Sequence, residues 1–315
     1  MKILFVSSGN YKQGVNIIIQ NQRDILLNNI QGINIDLYLI KGKGILGYLK
    51  NILPLKRYMR DMDFDIIHAH YAFSAFIASL AGSKNLFITL MGSDLIGKRV
   101  YKYIIKCFAL LFNWKNIIVQ STDMKTKLGV NSAQVIPNGV DLNMFFPMDK
   151  RQSQFQLGWN HTKKHILFPA NPKRYEKNYF LAKKALTLLN DENIEIHFFE
   201  NINHKKTPLW YNASDIILLT SLWEGSPNAI KEAMACNKPV VASAVGDIPN
   251  LFGNEEGYFI TTFDVNDCAD KIKQAFLFSN TNNTKGRERL ILLKLDNISF
   301  VKKLNELYNK HFNDN

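Results

Sequence analysis

The sequence predicts an α/β chain built from two doubly wound parallel sheets. Three observations carry this. Short runs rich in Ile, Val and Phe alternate with amphipathic helical stretches along the chain. The alternation is interrupted once, by VIPNGVDLNMFFPMDK (135–150), and then restarts. Finally, 315 residues suit two domains of about 150.

In the first half, strands are expected at 3–7, 34–40, 65–68, 86–90, 116–120 and 134–136. Each is short and apolar, as strands covered on both faces are. Helical patterns lie between them near 16–31, 45–60, 73–82, 98–113 and 122–128. Pro137, Asn138-Gly139 and Pro147 then break any regular element. The second half places strands at 165–169, 194–199, 215–221, 239–243 and 257–260. Its helices fall at 178–190, 206–213, from 227, 265–278, 287–295 and 298–312. Strand and helix in turn build parallel units. The domains expected are 1-148 and 149-297, followed by a terminal helical segment, 298-315.

Composition sets limits on function. Hydrophobic content of 46% and charged content of 21% are ordinary for a globular protein. Cys107, Cys236 and Cys268 lie far apart with no CxxC pair, so neither zinc nor a disulfide framework is expected. A reducing, cytoplasmic compartment follows. The apolar run of MKILFVSSGN is too short for a signal peptide, and no run approaches a spanning helix. The chain is therefore expected not to be integral to a membrane.

The net charge of +12 is uneven. Residues 1–148 hold thirteen Lys and four Arg against eight Asp and no Glu, a net +9. Within 41–60 stand Lys41, Lys43, Lys50, Lys56, Arg57 and Arg60, with no acid. Nucleic acid, an anionic membrane surface, an anionic substrate and plain solvation all fit such charge. No nucleic-acid recognition motif accompanies it, so nucleic acid is not expected as a partner. The stretch 41–60 reads as a membrane or anionic-acceptor face. GKRVYKYIIKCFALLFNWK (97–115) reads either as a core helix or as an amphipathic helix on an anionic membrane.

The run EGSPNAIKE (224–232) points to chemistry. Ser226 suits a helix cap and Pro227 the first helical position. The N–H groups of Asn228, Ala229 and Ile230 would then be free at the positive end of the helix, where an anion such as phosphate is favoured. The apolar run before it puts the turn at the carboxyl edge of a parallel sheet, where ligands of open α/β sheets bind. Glu224 and Glu232, with seven residues between them, are poor neighbours for phosphate but good acceptors for sugar or ribose hydroxyls. A nucleotide sugar fits that order: ribose to Glu232, diphosphate to the turn, sugar to Glu224. The other reading is two exposed glutamates at a helix start. NPKRYEKNY (171–179) follows the first strand of the second half, so Lys173, Arg174 and Lys177 sit at the same edge. They would neutralise the diphosphate and the charge that develops on it as the sugar leaves.

Weaker signals remain. His68 and His70 share a strand face but lack a third metal ligand, so no metal is expected. DMDFD (61–65) contains a DxD pattern in the wrong context for a metal diphosphate. Asp94 reads as a cleft residue or as a simple turn aspartate.

YNASDIILLTSLWEGSPNAIKEAMACNKPVVASAVGDIPNLF (211–252) closely resembles the C-terminal signature of glycosyltransferase family 4, with its Glu-x7-Glu motif. VIPNGVDLNMFFP, DIIHAHY (65–71) and FITLMGSDL (87–95) resemble further segments of that family, in the expected order. ILFPANPKRYEKNYFLAKKA, together with 211–252, is most similar to members associated with bacterial cell-wall and surface polysaccharides. The resemblance implies a GT-B fold: two Rossmann-like domains facing a cleft, with the C-terminal helix (298-315) crossing back to the first. The N-terminal domain would bind the acceptor and the C-terminal domain the donor.

The resemblance further implies retaining, metal-independent transfer from a nucleoside-diphosphate sugar to a glycan or lipid-linked acceptor, without a cofactor. It assigns Glu224 to the donor sugar, Glu232 to the ribose, and Lys177 with Lys173 or Arg174 to the diphosphate. His70 would line the cleft. The candidate catalytic residues are thus Glu224, His70 and Asp94. The donor-binding candidates are Gly14, Lys173, Arg174, Lys177, Gly225, Ser226, Pro227, Asn228, Ala229, Ile230 and Glu232. The expected location is cytoplasmic, peripheral on the inner membrane face.

Three departures from the family pattern stand out. Met91 occupies the position of a frequent His. Gly14-Val15 replaces the usual Gly-Gly. The spacing from Arg174 to Lys177 is short. The alternative these leave open is a nucleotide-sugar-binding protein with impaired catalysis.

Overall fold

The computed structural model describes residues 1–315 apart from Lys12, Gln13, Gly97, Lys98, Asn201, Asp314 and Asn315, and apart from the side chains of Ile96, Arg99, Phe312 and Asn313. The helix start expected at 98, and the first two residues of the 97–115 stretch, lie outside the described residues.

The chain forms two compact units, Met1–Asn138 with Ile298–Asn315, and Gly139–Asn297. The division falls earlier than the expected 148 because residues 139–148 are bonded into the second unit. Val140 N–H donates to the Leu295 carbonyl at 2.9 Å, and Met148 N–H to Asn212 Oδ1 at 2.8 Å. Phe145 lies in that unit's core.

The first unit is a six-stranded sheet of β1 (Lys2–Ser8), β2 (Asn34–Ile40), β3 (Ile66–His70), β4 (Leu86–Leu90), β5 (Asn116–Val119) and β6 (Gln134–Val135). Its order is β2-β1-β3-β4-β5-β6, with every pair parallel. Alternate side chains of a strand face opposite ways. Leu4 and Val6 accordingly enter one core with Ile67, Ile88 and Leu90. Ile3 and Phe5 enter the other with Ile66 and Phe87, closed by Phe300, Leu304 and Tyr308 of the helix Asn297–Asn313.

The second unit holds β7 (Lys164–Phe168), β8 (Ile194–Phe198), β9 (Ile216–Leu219), β10 (Val240–Ser243) and β11 (Tyr258–Thr261), in the parallel order β11-β10-β9-β7-β8. Leu167, Ile217 and Leu219 face one core with Ile230 and Met234. Ile166, Phe168, Ile216 and Leu218 face the other with Leu181, Ala185 and Ile272.

Helical expectations change in places, with short helices also at Ser93–Ile96 and Ile248–Phe252. The 45–60 stretch is two helices, Gly44–Leu49 and Ile52–Met62. Asn51 stands at the break, its Nδ2 donating to the carbonyls of Gly47 at 2.7 Å and Lys41 at 2.9 Å. A further helix, Lys150–Leu157, occupies the expected boundary, capped by Asp149 Oδ1 on Gln152 N–H at 2.7 Å.

Topology positions the site. From β7 the chain goes to β8 on one side and then to β9 on the other. The connections that follow β7 and β9 therefore leave in opposite directions, and the carboxyl ends of these two strands are where ligands of open α/β sheets bind.

Candidate functional site

The loops after β7 and β9 are latched together. Leu222 N–H donates to the Glu176 carbonyl at 2.8 Å, and Thr220 Oγ1 to that of Asn178 at 2.9 Å. Lys177 closes a short 3-10 turn, Tyr175–Lys177, and its Nζ lies 2.5 Å from Glu224 Oε1. Ser221 Oγ donates to the same oxygen at 2.7 Å. The two charged side chains are only 12% and 13% exposed, so this pair is largely out of water. Behind it passes Gly246, with φ +60°. A Cβ there would stand 2.5 Å from the Gly225 carbonyl oxygen and 2.7 Å from that of Glu224. Only glycine allows this approach, which supports the backbone carrying Glu224.

The helix that follows spans Asn228–Ala235. This corrects the expected cap. Pro227 itself is the cap residue, extended at ψ 115°, and Ser226 precedes it without capping. Ile230 N–H is not free either, since it donates to the Pro227 carbonyl at 3.1 Å. Among the described residues no acceptor sits on the N–H groups of Asn228 or Ala229, and Asn228 Oδ1 is buried without a partner. Lys231 is fully buried in this helix; burial lowers its ammonium to about 8, opposed by Asp247. Burial pushes the Asp247 carboxyl up to about 6 against the pull of Lys231.

Glu232 is held at both oxygens. Tyr211 Oη donates to Oε2 at 2.8 Å, and His204 Nε2 to Oε1 at 3.1 Å. That bond raises the His204 pKa. Neither partner was singled out in the sequence, because they precede Glu232 by 21 and 28 residues; Tyr211 opens the 211–252 signature, but nothing in that run marks it as a partner of Glu232. Lys173 is exposed, and Arg174 turns to Glu176, with Nε 2.7 Å from Oε1. Lys177 and Glu224 thus meet at the carboxyl ends of β7 and β9, with Gly225, Ser226, Pro227, Asn228 and Ala229 running on from Glu224, while Arg174 pairs with Glu176 and Lys173 is exposed.

In the first unit, Gly14 has φ +81° and open space where a Cβ would stand, so its conformation rather than crowding calls for glycine. His70 is fully buried. Its Nε2 donates to Gln22 Oε1 at 3.2 Å, its Nδ1 has no partner, and burial lowers its pKa to about 3, leaving it neutral. His68 is satisfied by Tyr308 and Thr89 at 2.5 and 2.7 Å. Asp94 accepts the N–H groups of Ala72 at 3.0 Å, Gly92 at 3.0 Å and Met91 at 3.2 Å, which ties the turns after β3 and β4 together. Burial raises its carboxyl to about 6 despite those donors. In DMDFD, Asp65 accepts the Lys2 N–H at 2.6 Å, a structural role.

Two family profiles match the chain: Glycosyltransferase Family 4 over residues 15–144, and Glycosyl transferases group 1 over residues 192–290. The chain is a glycosyltransferase of the GT-B fold. This glycosyltransferase is 26% identical over 262 residues to the UDP-Gal:alpha-D-GlcNAc-diphosphoundecaprenol alpha-1,3-galactosyltransferase of Escherichia coli, covering 69% of the chain and 67% of the relative. It is 25% identical over 185 residues to a D-inositol 3-phosphate glycosyltransferase of Paenarthrobacter aurescens, spanning 49% of the chain but only 45% of that relative.

Its fold matches a sucrose-phosphate synthase from Thermosynechococcus elongatus over 100% of both chains, with TM-score 0.81 and 17% identity. It also matches Anabaena Alr3699/HepE, crystallised with UDP-glucose, over 98% of this chain and 100% of that one, with TM-score 0.75 and 18% identity. The group 1 match includes Glu224, the helix start and Glu232. Lys173, Arg174 and Lys177 precede it.

Proposed function

We propose that this glycosyltransferase moves a sugar, with retention of configuration, from a nucleoside-diphosphate sugar to a hydroxyl of a lipid-linked glycan in surface-polysaccharide assembly. The observation that carries the reading is the arrangement at the carboxyl ends of β7 and β9. It gathers a sequestered Lys177–Glu224 pair, two unengaged helix-start amides and, on the same helix, a carboxylate fixed for hydroxyls. The diphosphate lies against the amides of Asn228 and Ala229, with Lys177 shared between it and Glu224. Arg174 or Lys173 joins from the margin. Glu232 takes the ribose hydroxyls and Glu224 the sugar. The acceptor oxygen bonds to the anomeric carbon on the face the nucleotide leaves, as the bond from that carbon to the phosphate oxygen breaks. The acceptor proton passes to the departing phosphate. Lys177 and the amides stabilise the charge that develops there. No metal or cofactor takes part in this scheme.

Asp94 and Gly14 are proposed to shape the acceptor-side backbone rather than to contact the reacting atoms, since Asp94 is buried and bonded to three backbone amides; His70, buried and bonded only through Nε2, is proposed to line the acceptor side. No described helix is long and apolar enough to cross a membrane. A peripheral cytoplasmic seat is supported by Ile45, Leu46 and Leu53, exposed by 73%, 75% and 65% beside Lys43, Lys50, Lys56 and Arg57. Such a mixture of apolar and basic groups suits an anionic bilayer. Sedimentation with phosphatidylglycerol vesicles, set against phosphatidylcholine ones, tests this.

Product analysis after incubation with a panel of sugar nucleotides and a lipid-linked acceptor tests transfer and its stereochemistry. The second reading, binding without catalysis, is favoured by one observation: Asp94 is buried and engaged by three backbone amides. Thermal stabilisation by a sugar nucleotide without any turnover would decide for it.

A further inference from the structure

On the second sheet, β7 and β8 pair with His165 opposite Glu195 and Leu167 opposite His197. Residues two apart share a face, so His165, Glu195 and His197 lie together. His165 is fully buried, and its Nε2 is 2.8 Å from the carbonyl of Asn160. A carbonyl only accepts, so in the neutral ring this nitrogen carries the proton and the Nδ1 lone pair points the other way. That lone pair meets His197 Nε2 at 2.9 Å and Glu195 Oε2 at 3.7 Å. The three ligand atoms lie within 4.8 Å of one another. Trp159 stacks flat on His197, with centroids 3.5 Å apart and planes 7° apart, and Trp210 stands edge-on to Trp159 at 5.3 Å. Lys163 Nζ holds the other oxygen of Glu195 at 3.2 Å.

We propose that His165, His197 and Glu195 form a binding site for a divalent transition-metal ion, Zn²⁺ being the ion this donor set suits, on the face of β7 and β8. Two imidazoles and a carboxylate are a known zinc donor set that keeps a further position open. Two nitrogens bound about 2.0–2.1 Å from one tetrahedral ion stand about 3.3 Å apart, so the rings need part by only a few tenths of an ångström from the 2.9 Å found. The Asn160 carbonyl supplies the outer contact that fixes a ligating ring's tautomer and orientation. A hydrogen bond between neutral imidazoles accounts for the two rings, and Lys163 accounts for one oxygen of Glu195. The other oxygen stands 3.7 Å from an imidazole nitrogen, too far for a hydrogen bond and close enough for both to reach one ion. A cation serves both, once the His197 proton has moved to Nδ1. The ion would clasp the edge strand β8 to β7 and takes no part in transfer. Neither cysteine spacing nor the His68 and His70 pair pointed here, because 31 residues separate His165 from His197.

The test uses the full chain, free of any affinity tag and stripped with a chelator, titrated with Zn²⁺ against a chromophoric competitor. One equivalent should bind with a micromolar or tighter Kd, change the Trp fluorescence and raise Tm. Co²⁺ should give the visible bands of a site with nitrogen ligands. His197→Ala and Glu195→Gln, both at half-exposed positions, should each weaken binding at least about tenfold. Lys163→Ala should strengthen it by freeing Glu195, and His161→Ala should leave it unchanged. Absence of stoichiometric binding, or Zn²⁺ affinity unchanged in both His197→Ala and Glu195→Gln, overturns the proposal.

Discussion

The carboxyl ends of the two sheets carry similar polar residues and use them differently. In the second unit, Glu224 and Lys177 hold each other while two backbone amides nearby have no protein acceptor among the described residues. In the first, Asp94 is occupied by the amides of Ala72, Met91 and Gly92, while His70 bonds Gln22 through Nε2 and keeps a buried Nδ1 without a partner. A charged group at a strand end is therefore not a reactive group by position alone; its remaining bonding capacity separates a ligand grip from a frame. Substitutions in the two regions should separate the same way.

The largest effect is expected at Glu224. Glu224→Gln keeps the shape but removes the charge facing Lys177, and kcat should fall about 10²–10³-fold with the nucleotide Kd little changed. If Asp94→Asn lowers kcat as far while Tm holds, the contrast between the units fails. The expected outcome for Asp94→Asn is a lower Tm with kcat kept within about threefold, because its bonds run to backbone amides.

Glu232→Ala comes next. Nucleotide affinity should drop by about 1.5–3 kcal/mol in isothermal titration, the cost of charge-assisted bonds to a ribose. Gly246→Ala should destabilise the second unit by about 1–3 kcal/mol through its positive φ and the contact with Gly225, read as a shift in the urea midpoint.

The smallest effect concerns pH. The His204 pKa is raised in the fold by Glu232. Its contribution is thus fully present below the unfolded value near 6.5 and is lost as pH rises through the elevated folded value. The stability difference between wild type and His204→Gln should be about 0.5–1 kcal/mol at pH 6 and shrink by pH 8.5.

Much of this was legible in the sequence because buried strands announce themselves. Every one of the runs from 3–7 to 257–260 became a strand, with ends shifted by a residue or two. The helix Lys150–Leu157 was not legible, because KRQSQFQL has little apolar pattern and buries Ser153 and Gln154 instead. The Glu-x7-Glu spacing marked the turn after β9 and the helix Asn228–Ala235 that carries its second glutamate. The cap at Pro227 was missed because a proline fits both the cap and the first helical position. The partners of Glu232 were missed because Tyr211 and His204 reach it only through tertiary packing.

The helix Asn297–Asn313 has a consequence for how the molecule is made. Phe300, Val301, Leu304, Leu307 and Tyr308 complete one face of a core whose other members, such as Ile3 and Phe5, are translated first. The contiguous unit Gly139–Asn297 has all its parts before that helix leaves the ribosome. The face that Ile19 and Leu26 already cover in part therefore lacks these five side chains until the whole of the other unit has been made, against the usual order in which the N-terminal domain is complete first.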